Sequence, residues 1–258
     1  MNSVKIHIVQ LDTEWEKPAK NLVRLSGMLE KQHPSNGVIV LPEMFTTGFT
    51  ERPKGFAEMM GGETVEWMIH AAHKYRSYVM GSIIIQESGQ LLNRMIFASP
   101  AGELRHYDKH HLFRLGSESA GYSPGTHRPV FNANGVKIMP QICYDLRFPI
   151  WARNDMNYDV MINVANWPAV RNPVWEILLK ARAIENQCFV VGANRVGTDG
   201  KGIAYIGNSL IIDPKGEIIL QAADTEGIYT GVINLDEMYE FRKNFPVLND
   251  RDDFTFKI

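Results

Sequence analysis

The chain has 258 residues, of which 45% are hydrophobic and 22% are charged, and its formal net charge is −2. This is the composition of an ordinary globular protein. The charge supplies neither the basic surface that nucleic acid requires nor a polybasic segment for anionic lipid. We therefore expect no nucleic-acid partner and no membrane partner.

The two cysteines, Cys143 and Cys188, are too few for a disulfide framework and indicate a reducing compartment. Residues 1–12 carry polar side chains within an apolar alternation, which is typical of a strand rather than of a secretory signal. No apolar run is long enough to span a bilayer. We expect a cytoplasmic protein.

In the first half of the chain, apolar residues at nearly every second position predict a strand over 4–11. A stripe formed by Leu22, Leu25 and Leu29 then predicts a helix over 17–32. The elements predicted after it are a buried strand at 37–42, a helix at 63–75, and strands at 79–85, 93–99 and 104–107.

Residues 112–129 are rich in Gly, Ser and Pro and lack a period, which predicts a long ordered loop of functional importance. A strand predicted at 136–142 leads directly into Cys143. The elements predicted after it are a short helix from about Pro149, a strand at 159–164, a helix at 174–186, strands at 188–193, 209–212, 217–221 and 228–233, and a helix at 236–243.

Alternating strands and helices, followed by strands in hairpin-like succession, predict an α/β fold in layers with mixed sheets. No break in composition divides the chain, so we expect a single domain over 1–258. The tail, residues 245–258, lacks a helical period. It either packs on a partner subunit or is a frayed end.

Cys143 lies in the segment 140–149 (PQICYDLRFP), between an apolar strand and residues that can begin a helix. A thiol there lies near backbone N–H groups, which favour a nucleophilic thiolate. The alternative is a buried structural cysteine, the commoner state of a free thiol. Cys188, which opens an apolar strand, fits this second description.

Glu43 ends a buried strand, and Lys109 lies in a polar and aromatic segment. If both converge on Cys143, Glu43 could act as general base, and Lys109 with the backbone N–H of Tyr144 could stabilise an oxyanion. The alternatives are a solvated glutamate and a surface lysine. Thiol, base and cation together indicate covalent hydrolysis of a carbonyl compound.

Other site chemistries fit less well. Adjacent residues such as His110 and His111 cannot face one metal ion together on a helix or strand, and no other segment has metal-ligand spacing. Eight histidines keep a Cys-His-Asn arrangement open on composition. However, the flanks of Cys143 are not papain-like, and no Gly-x-Ser-x-Gly elbow or phosphate-binding loop is present. We expect no metal and no cofactor.

Two arginines have distinct interpretations. Arg182 lies on the core-facing stripe of its predicted helix and therefore needs an acidic partner, such as Glu185 or an acidic loop. Arg147 could bind a substrate carboxylate at the mouth of a pocket. The alternative is a salt bridge from Arg147 to Asp145 or Asp159.

Taken in order, the segments 41–43 (LPE), 108–110 (DKH) and 142–149 (ICYDLRFP) resemble the Glu, Lys and Cys motifs of the nitrilase superfamily of carbon–nitrogen hydrolases. The resemblance extends from the first strand to about residue 236. It implies a four-layer αββα sandwich with two mixed sheets, and a homodimer.

The resemblance also implies site roles. Glu43 would be the general base, Lys109 the oxyanion stabiliser and Cys143 the nucleophile. The segment 116–119 (GSES) is similar to the family segment with a second glutamate, so Glu118 would position the substrate and Lys109.

Within the superfamily, the chain is most similar to bacterial omega-amidases, on the segments 143–149, 164–168 (VANWP) and 181–187 (ARAIENQ). The implied reaction hydrolyses the terminal amide of small α-keto acid ω-amides such as 2-oxoglutaramate or 2-oxosuccinamate, through a thioester. Asn166 and Trp167 would form the pocket wall, with Arg147 near the substrate carboxylate and Tyr144 as a further residue that binds or supports the substrate. Many relatives carry Glu at position 150, where this chain has Ile150.

Another amide, a carbamoyl amine or a nitrile is the alternative substrate, and a binding protein without turnover is the alternative class.

Overall fold

The computed structural model describes residues 2–50, 52–115 and 118–256, except the side chains of 119 and 120. None of the helices in this part of the chain combines the length and apolar character that crossing a bilayer requires. The strands are β1 (Ser3–Gln10), β2 (Gly37–Val40), β3 (Tyr78–Glu87), β4 (Gln90–Ala98), β5 (Leu104–Asp108), β6 (Phe131–Ala133), β7 (Val136–Ile142), β8 (Val160–Ala165), β9 (Phe189–Asn194), β10 (Val196–Thr198), β11 (Ala204–Ile206), β12 (Leu210–Ile212), β13 (Ile218–Gln221) and β14 (Gly227–Asn234). The helices are α1 (Pro18–Gln32), α2 (Glu63–Tyr75), α3 (Glu118–Gly121), α4 (Pro149–Ala152), α5 (Asn172–Asn186) and α6 (Leu235–Asn244). Short 3-10 turns lie at Pro53–Gly55, Cys143–Arg147, Ala169–Arg171 and Val247–Asp250.

Twelve of the described strands form two six-stranded sheets, and β10 pairs with β11 as a separate hairpin. The first sheet has the order β14-β1-β2-β3-β4-β5, in which β1, β2 and β3 are parallel and the other pairs antiparallel. The second has the order β13-β12-β9-β8-β7-β6, in which β7, β8 and β9 are parallel. Both sheets are therefore mixed, as predicted.

The two sheets pack face to face through one apolar core, in which Ile6 of the first sheet and Ile138 of the second belong to the same cluster. Helices cover the outer faces. On the first sheet, α1 and α2 bury residues such as Leu25 and Met68, and on the second, α5 buries Trp175. The order helix, sheet, sheet, helix confirms the predicted four-layer αββα sandwich.

The parallel strands place candidate site residues at one end of the sandwich. Glu43 follows β2, Cys143 follows β7 and Asn166 follows β8. Because the carboxyl ends of parallel strands open at the same edge of a sheet, these three side chains are brought to a common region.

Most predicted elements agree with the structure to within three residues, and the helix at 63–75 and the strand at 136–142 have the predicted bounds. The prediction omitted the three-residue strands β6, β10 and β11, although it included the equally short β12. The predicted loop over 112–129 was incomplete, since its described residues include the short helix α3.

The C-terminal tail contacts its own chain as far as it is described. The ring of Phe256 lies 5.0 Å from that of Trp151. The guanidinium of Arg128 lies over the Phe256 ring, 5.3 Å from its centre. Leu248 is buried. Residues 257–258 lie outside the described part, and a contact between this tail and a partner subunit stays a prediction.

Candidate active site

Cys143 opens the turn that follows β7. Its φ of +46° lies in the left-handed region, which few residues other than glycine adopt. Asp145 holds this turn, because its Oδ2 accepts a hydrogen bond from the backbone N–H of Ile142 at 3.0 Å. A strained backbone held in this way by its surroundings is typical of functional sites.

Glu43 lies just beyond the buried end of β2, and its carboxylate is buried and fully engaged. Oε1 accepts hydrogen bonds from the Nζ of Lys109 at 2.9 Å and the Nδ2 of Asn93 at 2.8 Å. Oε2 accepts one from the backbone N–H of Asn166 at 2.9 Å. The solvated strand-end alternative is therefore wrong, because this side chain is inside the protein.

Lys109 is buried between two carboxylates rather than exposed on the surface. Besides Glu43, its Nζ donates to both carboxylate oxygens of Glu118, each at 2.9 Å. Burial by itself lowers the pKa of Lys109, but the charges of Glu118 and Glu43 outweigh it, and the pKa is raised well above its usual value. Lys109 is therefore a permanent cation at neutral pH.

Glu118 belongs to α3, within the long segment between β5 and β6. Its carboxylate accepts further hydrogen bonds from the backbone N–H of Phe113 at 2.7 Å and from Asn93 at 3.1 Å. The structure thus places Glu118 against Lys109. Of the predicted segment 116–119, Gly116 and Ser117 lie outside the described residues.

The thiol of Cys143 lies within range of these charges. Burial raises its pKa well above the usual value; the charges of Glu43 and Glu118 add to this increase, while Lys109 opposes it. The resting group is therefore a neutral thiol, and a base must accept its proton before it attacks a carbonyl. Cys188 is fully buried in the core, and burial raises its pKa to about 12, as fits a structural cysteine.

Asn166 and Trp167 form the wall next to Cys143. The side-chain amide of Asn166 donates to the backbone oxygen of Glu43 at 2.8 Å, and its own backbone oxygen lies 4.0 Å from the sulfur of Cys143. The backbone N–H of Trp167 donates to the Oδ1 of Asn194 at 2.8 Å. The contact of Asn166 with Glu43 connects the second sheet to the first at the site, while that of Trp167 with Asn194 joins two strand ends of the second sheet.

The two adjacent histidines stack on aromatic rings. The ring of His110 lies 3.8 Å from that of Trp151, and the ring of His111 lies 3.6 Å from that of Phe148. His111 also donates through its backbone N–H to Asp145 at 2.9 Å. No group of three or more His, Cys, Asp or Glu side chains in the described chain is arranged to hold a metal ion.

Arg182 has the structural role that its position on α5 predicts. It donates to the side chain of Glu185 at 2.9 Å and to the backbone oxygen of Leu146 at 2.7 Å, so it supports the turn after Cys143. Arg147 instead lies over the ring of Trp167 at 5.0 Å. The alternative prediction, a salt bridge from Arg147 to Asp145 or Asp159, is wrong. In the described structure Asp145 pairs with His111, and Asp159 pairs with Arg242.

A cavity of about 610 Å³ opens over this cluster, lined by Glu43, Phe49, Lys109, Phe113, Leu115, Cys143, Tyr144, Arg147, Asn166, Trp167, Pro168, Ala169, Val170, Arg171, Asp199, Lys201, Gly202, Ile203, Ala204 and Tyr205. One wall is the hairpin of β10 and β11, which Asp199 stabilises by accepting hydrogen bonds from the hydroxyl of Tyr205 at 3.0 Å and the backbone N–H of Lys201 at 2.9 Å. The cavity is of the size that holds a small molecule.

Sequence reasoning missed three contributors to the site. Asn93 donates to both Glu43 and Glu118, but nothing in its strand distinguishes it from other polar residues. Tyr205 and Asp199 belong to the hairpin that was not predicted. The Asp-Gly pair at 199–200 is a known hairpin signal and could have revealed it.

The arrangement can support acyl transfer. A neutral thiol, a carboxylate that can accept its proton, and a fixed cation surround one end of a cavity that admits a carbonyl compound. The predicted residues Glu43, Lys109, Cys143, Glu118 and Asn166 lie in one cluster, with Tyr144, Arg147 and Trp167 around the opening.

Comparisons with known proteins agree with this geometry. The carbon–nitrogen hydrolase family matches residues 5–243. The chain is 40% identical to the omega-amidase YafV of Yersinia enterocolitica over 98% of this chain and 99% of that one. It is 35% identical to a 2-oxoglutaramate amidase of Bacillus subtilis, over 95% and 96% of the two chains.

A solved structure is also similar. XC1258 of Xanthomonas campestris, a CN-hydrolase superfamily protein with an arsenic adduct in its active site, superposes with a TM-score of 0.96 and 38% identity over 99% of this chain and 100% of that one. The resemblance drawn from the three motifs is therefore confirmed. The chain belongs to the carbon–nitrogen hydrolase family, within the nitrilase superfamily, and is an enzyme of that class.

Proposed function

We propose that this protein is an omega-amidase, which hydrolyses the terminal primary amide of small α-keto acid ω-amides such as 2-oxoglutaramate and 2-oxosuccinamate. The observation that carries the proposal is the position of Cys143 against Glu43 and Lys109 at the closed end of a cavity with cationic residues at its mouth. The similarity to an omega-amidase and a 2-oxoglutaramate amidase supports the substrate class.

In the proposed acylation, the sulfur of Cys143 attacks the amide carbon while Glu43 accepts the thiol proton. The ammonium of Lys109 and the backbone N–H of Tyr144 stabilise the oxyanion of the tetrahedral intermediate. Glu43 returns the proton to nitrogen as the carbon–nitrogen bond breaks, so ammonia leaves and a thioester remains on Cys143.

In the proposed deacylation, Glu43 takes a proton from a water molecule, which attacks the thioester carbon. The carbon–sulfur bond then breaks, the acid leaves, and the thiol is restored. Glu118 fixes Lys109 from the opposite side, and Asn166 fixes the carboxylate of Glu43. Arg147, whose guanidinium lies at the opening, binds the carboxylate end of the substrate.

The assembly and location are part of the same proposal. On α5 and the preceding turn, apolar residues recur at 170, 174, 177 and 184, and Val170 and Ile177 are 87% and 65% exposed. We expect two copies to associate through this stripe, because spacing of three, four and seven residues forms one helix face. Two free cysteines suit the cytoplasm.

Ammonia release from a panel of amides tests the substrate assignment. The panel contains 2-oxoglutaramate, 2-oxosuccinamate, glutamine and a neutral aliphatic amide, each with the wild-type protein and with Cys143→Ala. We expect the keto acids to be hydrolysed with the highest kcat/KM by the wild type only. A preference for glutamine or for a neutral amide would overturn the keto-acid assignment.

A further inference from the structure

Trp167 supports two arginines at the mouth of the cavity. The guanidinium of Arg147 lies 5.0 Å from the centre of its ring, and its indole N–H donates to the backbone oxygen of Arg171 at 2.9 Å. Trp167 is itself buried, and its ring lies 5.3 Å from that of Trp175. The two arginines are therefore attached to a rigid part of the fold.

The side chain of Arg171 is also held by an aromatic ring. Its guanidinium lies 5.3 Å from the centre of the Phe113 ring, which packs edge-on against Tyr144 at 5.2 Å. Such cation–π contacts orient a guanidinium while its N–H groups remain able to bind an anion.

Neither arginine is neutralised by a carboxylate in the part of the chain that the structure describes. Asp199, an acidic residue in the cavity wall, has other partners, since it accepts hydrogen bonds from Tyr205 and from the backbone N–H groups of Lys201 and Ile203. The opening of the cavity therefore carries two oriented guanidinium groups, in addition to the ammonium of Lys201 on the hairpin loop.

The charges are ordered along the cavity. Lys109 is 1% exposed at the closed end beside Cys143, while Arg147 is exposed and Arg171 is partly exposed at the opening. A linear substrate with its amide at Cys143 would therefore place its far end between the two guanidinium groups. A carboxylate at that end accepts hydrogen bonds from both, whereas an ammonium is repelled by both.

We propose that Arg171 is a specificity-determining residue that, together with Arg147, binds the carboxylate opposite to the amide and disfavours substrates with an α-ammonium group. The inference rests on the proposed amidase function and deepens it. The second guanidinium favours the anionic keto acid over the zwitterionic amino acid of the same length, because the two differ in a positive charge next to that carboxylate.

The test compares four amides that share a reacting end: 2-oxoglutaramate, glutaric acid monoamide, pentanamide and glutamine. The variants are Arg171→Met and Arg171→Lys. Lys215→Met is the matched control, because Lys215 is an exposed cation over the ring of Phe241 at 5.4 Å, outside the cavity. Thermal unfolding of each variant checks that it is folded.

We expect Arg171→Met to raise KM for both anionic amides by about tenfold or more while kcat changes little, as loss of a charged contact to substrate does. Pentanamide hydrolysis should be unchanged, and the preference for 2-oxoglutaramate over glutamine should decrease. Arg171→Lys should restore part of the affinity, and Lys215→Met should match the wild type.

Equal losses on anionic and neutral amides, or no change on any of them, would overturn the assignment of Arg171. Failure of the proposed function looks different. In that case the wild type would release no ammonia from 2-oxoglutaramate, yet the comparison of glutaric acid monoamide with pentanamide would still test Arg171.

Discussion

The hydroxyl of Tyr107 donates a hydrogen bond of 2.7 Å to the Oδ2 of Asp145, and this contact ties together the segments that carry Lys109 and Cys143. Tyr107 lies two residues before Lys109, and Asp145 lies two residues after Cys143. The same hydroxyl accepts hydrogen bonds from the Nε1 of Trp151 at 2.9 Å and the backbone N–H of His110 at 3.3 Å. The spacing between ammonium and thiol is thus set by a buried polar network.

Tyr107→Phe should therefore lower both stability and kcat. The change leaves the N–H groups of Trp151 and His110 without their acceptor, which costs about 1–3 kcal/mol of unfolding free energy. Urea denaturation and steady-state kinetics measure the two effects. Tyr122→Phe is the control, because among the described residues that buried hydroxyl has only a weak contact, of 3.9 Å, with the sulfur of Met44. Equal stability losses in both variants would contradict the role given to the Tyr107 network.

Asn93 should be required for the rate of hydrolysis as a positioning residue. It donates to Glu43 at 2.8 Å and to Glu118 at 3.1 Å, so it holds both carboxylates around Lys109. Asn93→Asp places a third carboxylate there, and we expect a decrease in kcat of about tenfold or more, since a buried like charge is costly. A variant with wild-type kcat would show that the two carboxylates are positioned without it.

The reactivity of Cys143 should depend on pH in a direction that Glu43 controls. Because burial and the charge of Glu43 raise the thiol pKa above 9.0, alkylation by iodoacetamide should be slow at pH 7 and still increase at pH 9. Glu43→Gln removes the negative charge, so the alkylation profile should shift to lower pH while amide turnover is lost. A shift to higher pH in this variant would contradict the electrostatic account.

Lys109 should stay protonated throughout the working range of the enzyme. Its pKa is raised in the folded protein, so its charge is present below the usual value of 10.5 and is lost only as pH rises through the higher folded-state value. Activity should therefore show no decrease from deprotonation of this group between pH 7 and about pH 10. A pH–rate profile that falls reversibly in this range, with the fold intact by circular dichroism, would argue against a permanently charged Lys109.

Gly125 should be intolerant of a side chain because of its contact with the Lys109 segment. A Cβ there would collide with the backbone oxygen of Asp108, and the backbone N–H of Gly125 donates to the backbone oxygen of Lys109 at 2.9 Å. We expect Gly125→Ala to cost about 1–3 kcal/mol of stability and to lower kcat, as overpacking does. Gly27→Ala in α1, where nothing lies within 4 Å, is the control and should stabilise slightly. Unfolding of the two variants at the same urea concentration would contradict this expectation.

Much of the fold and part of the site were predictable because they rest on local patterns. Alternation and helical stripes are visible along the chain, and the ends of buried strands locate Glu43 and Cys143 without a structure. Asn93 could not be predicted, because its importance arises from two glutamates 50 and 25 residues away along the chain. The hairpin of β10 and β11 was missed, although the equally short β12 was predicted, because glycines at 197, 200, 202 and 207 interrupt the pattern and are typical of a loop.

The most direct test is acid-quenched intact-protein and peptide mass spectrometry during turnover of 2-oxoglutaramate, with Cys143→Ala in parallel. We expect an acyl adduct, formed with loss of ammonia, on the peptide that contains Cys143, and we expect the alanine variant to give neither adduct nor ammonia. Ammonia release by Cys143→Ala at the wild-type rate, or an adduct confined to Cys188, would contradict the proposed mechanism.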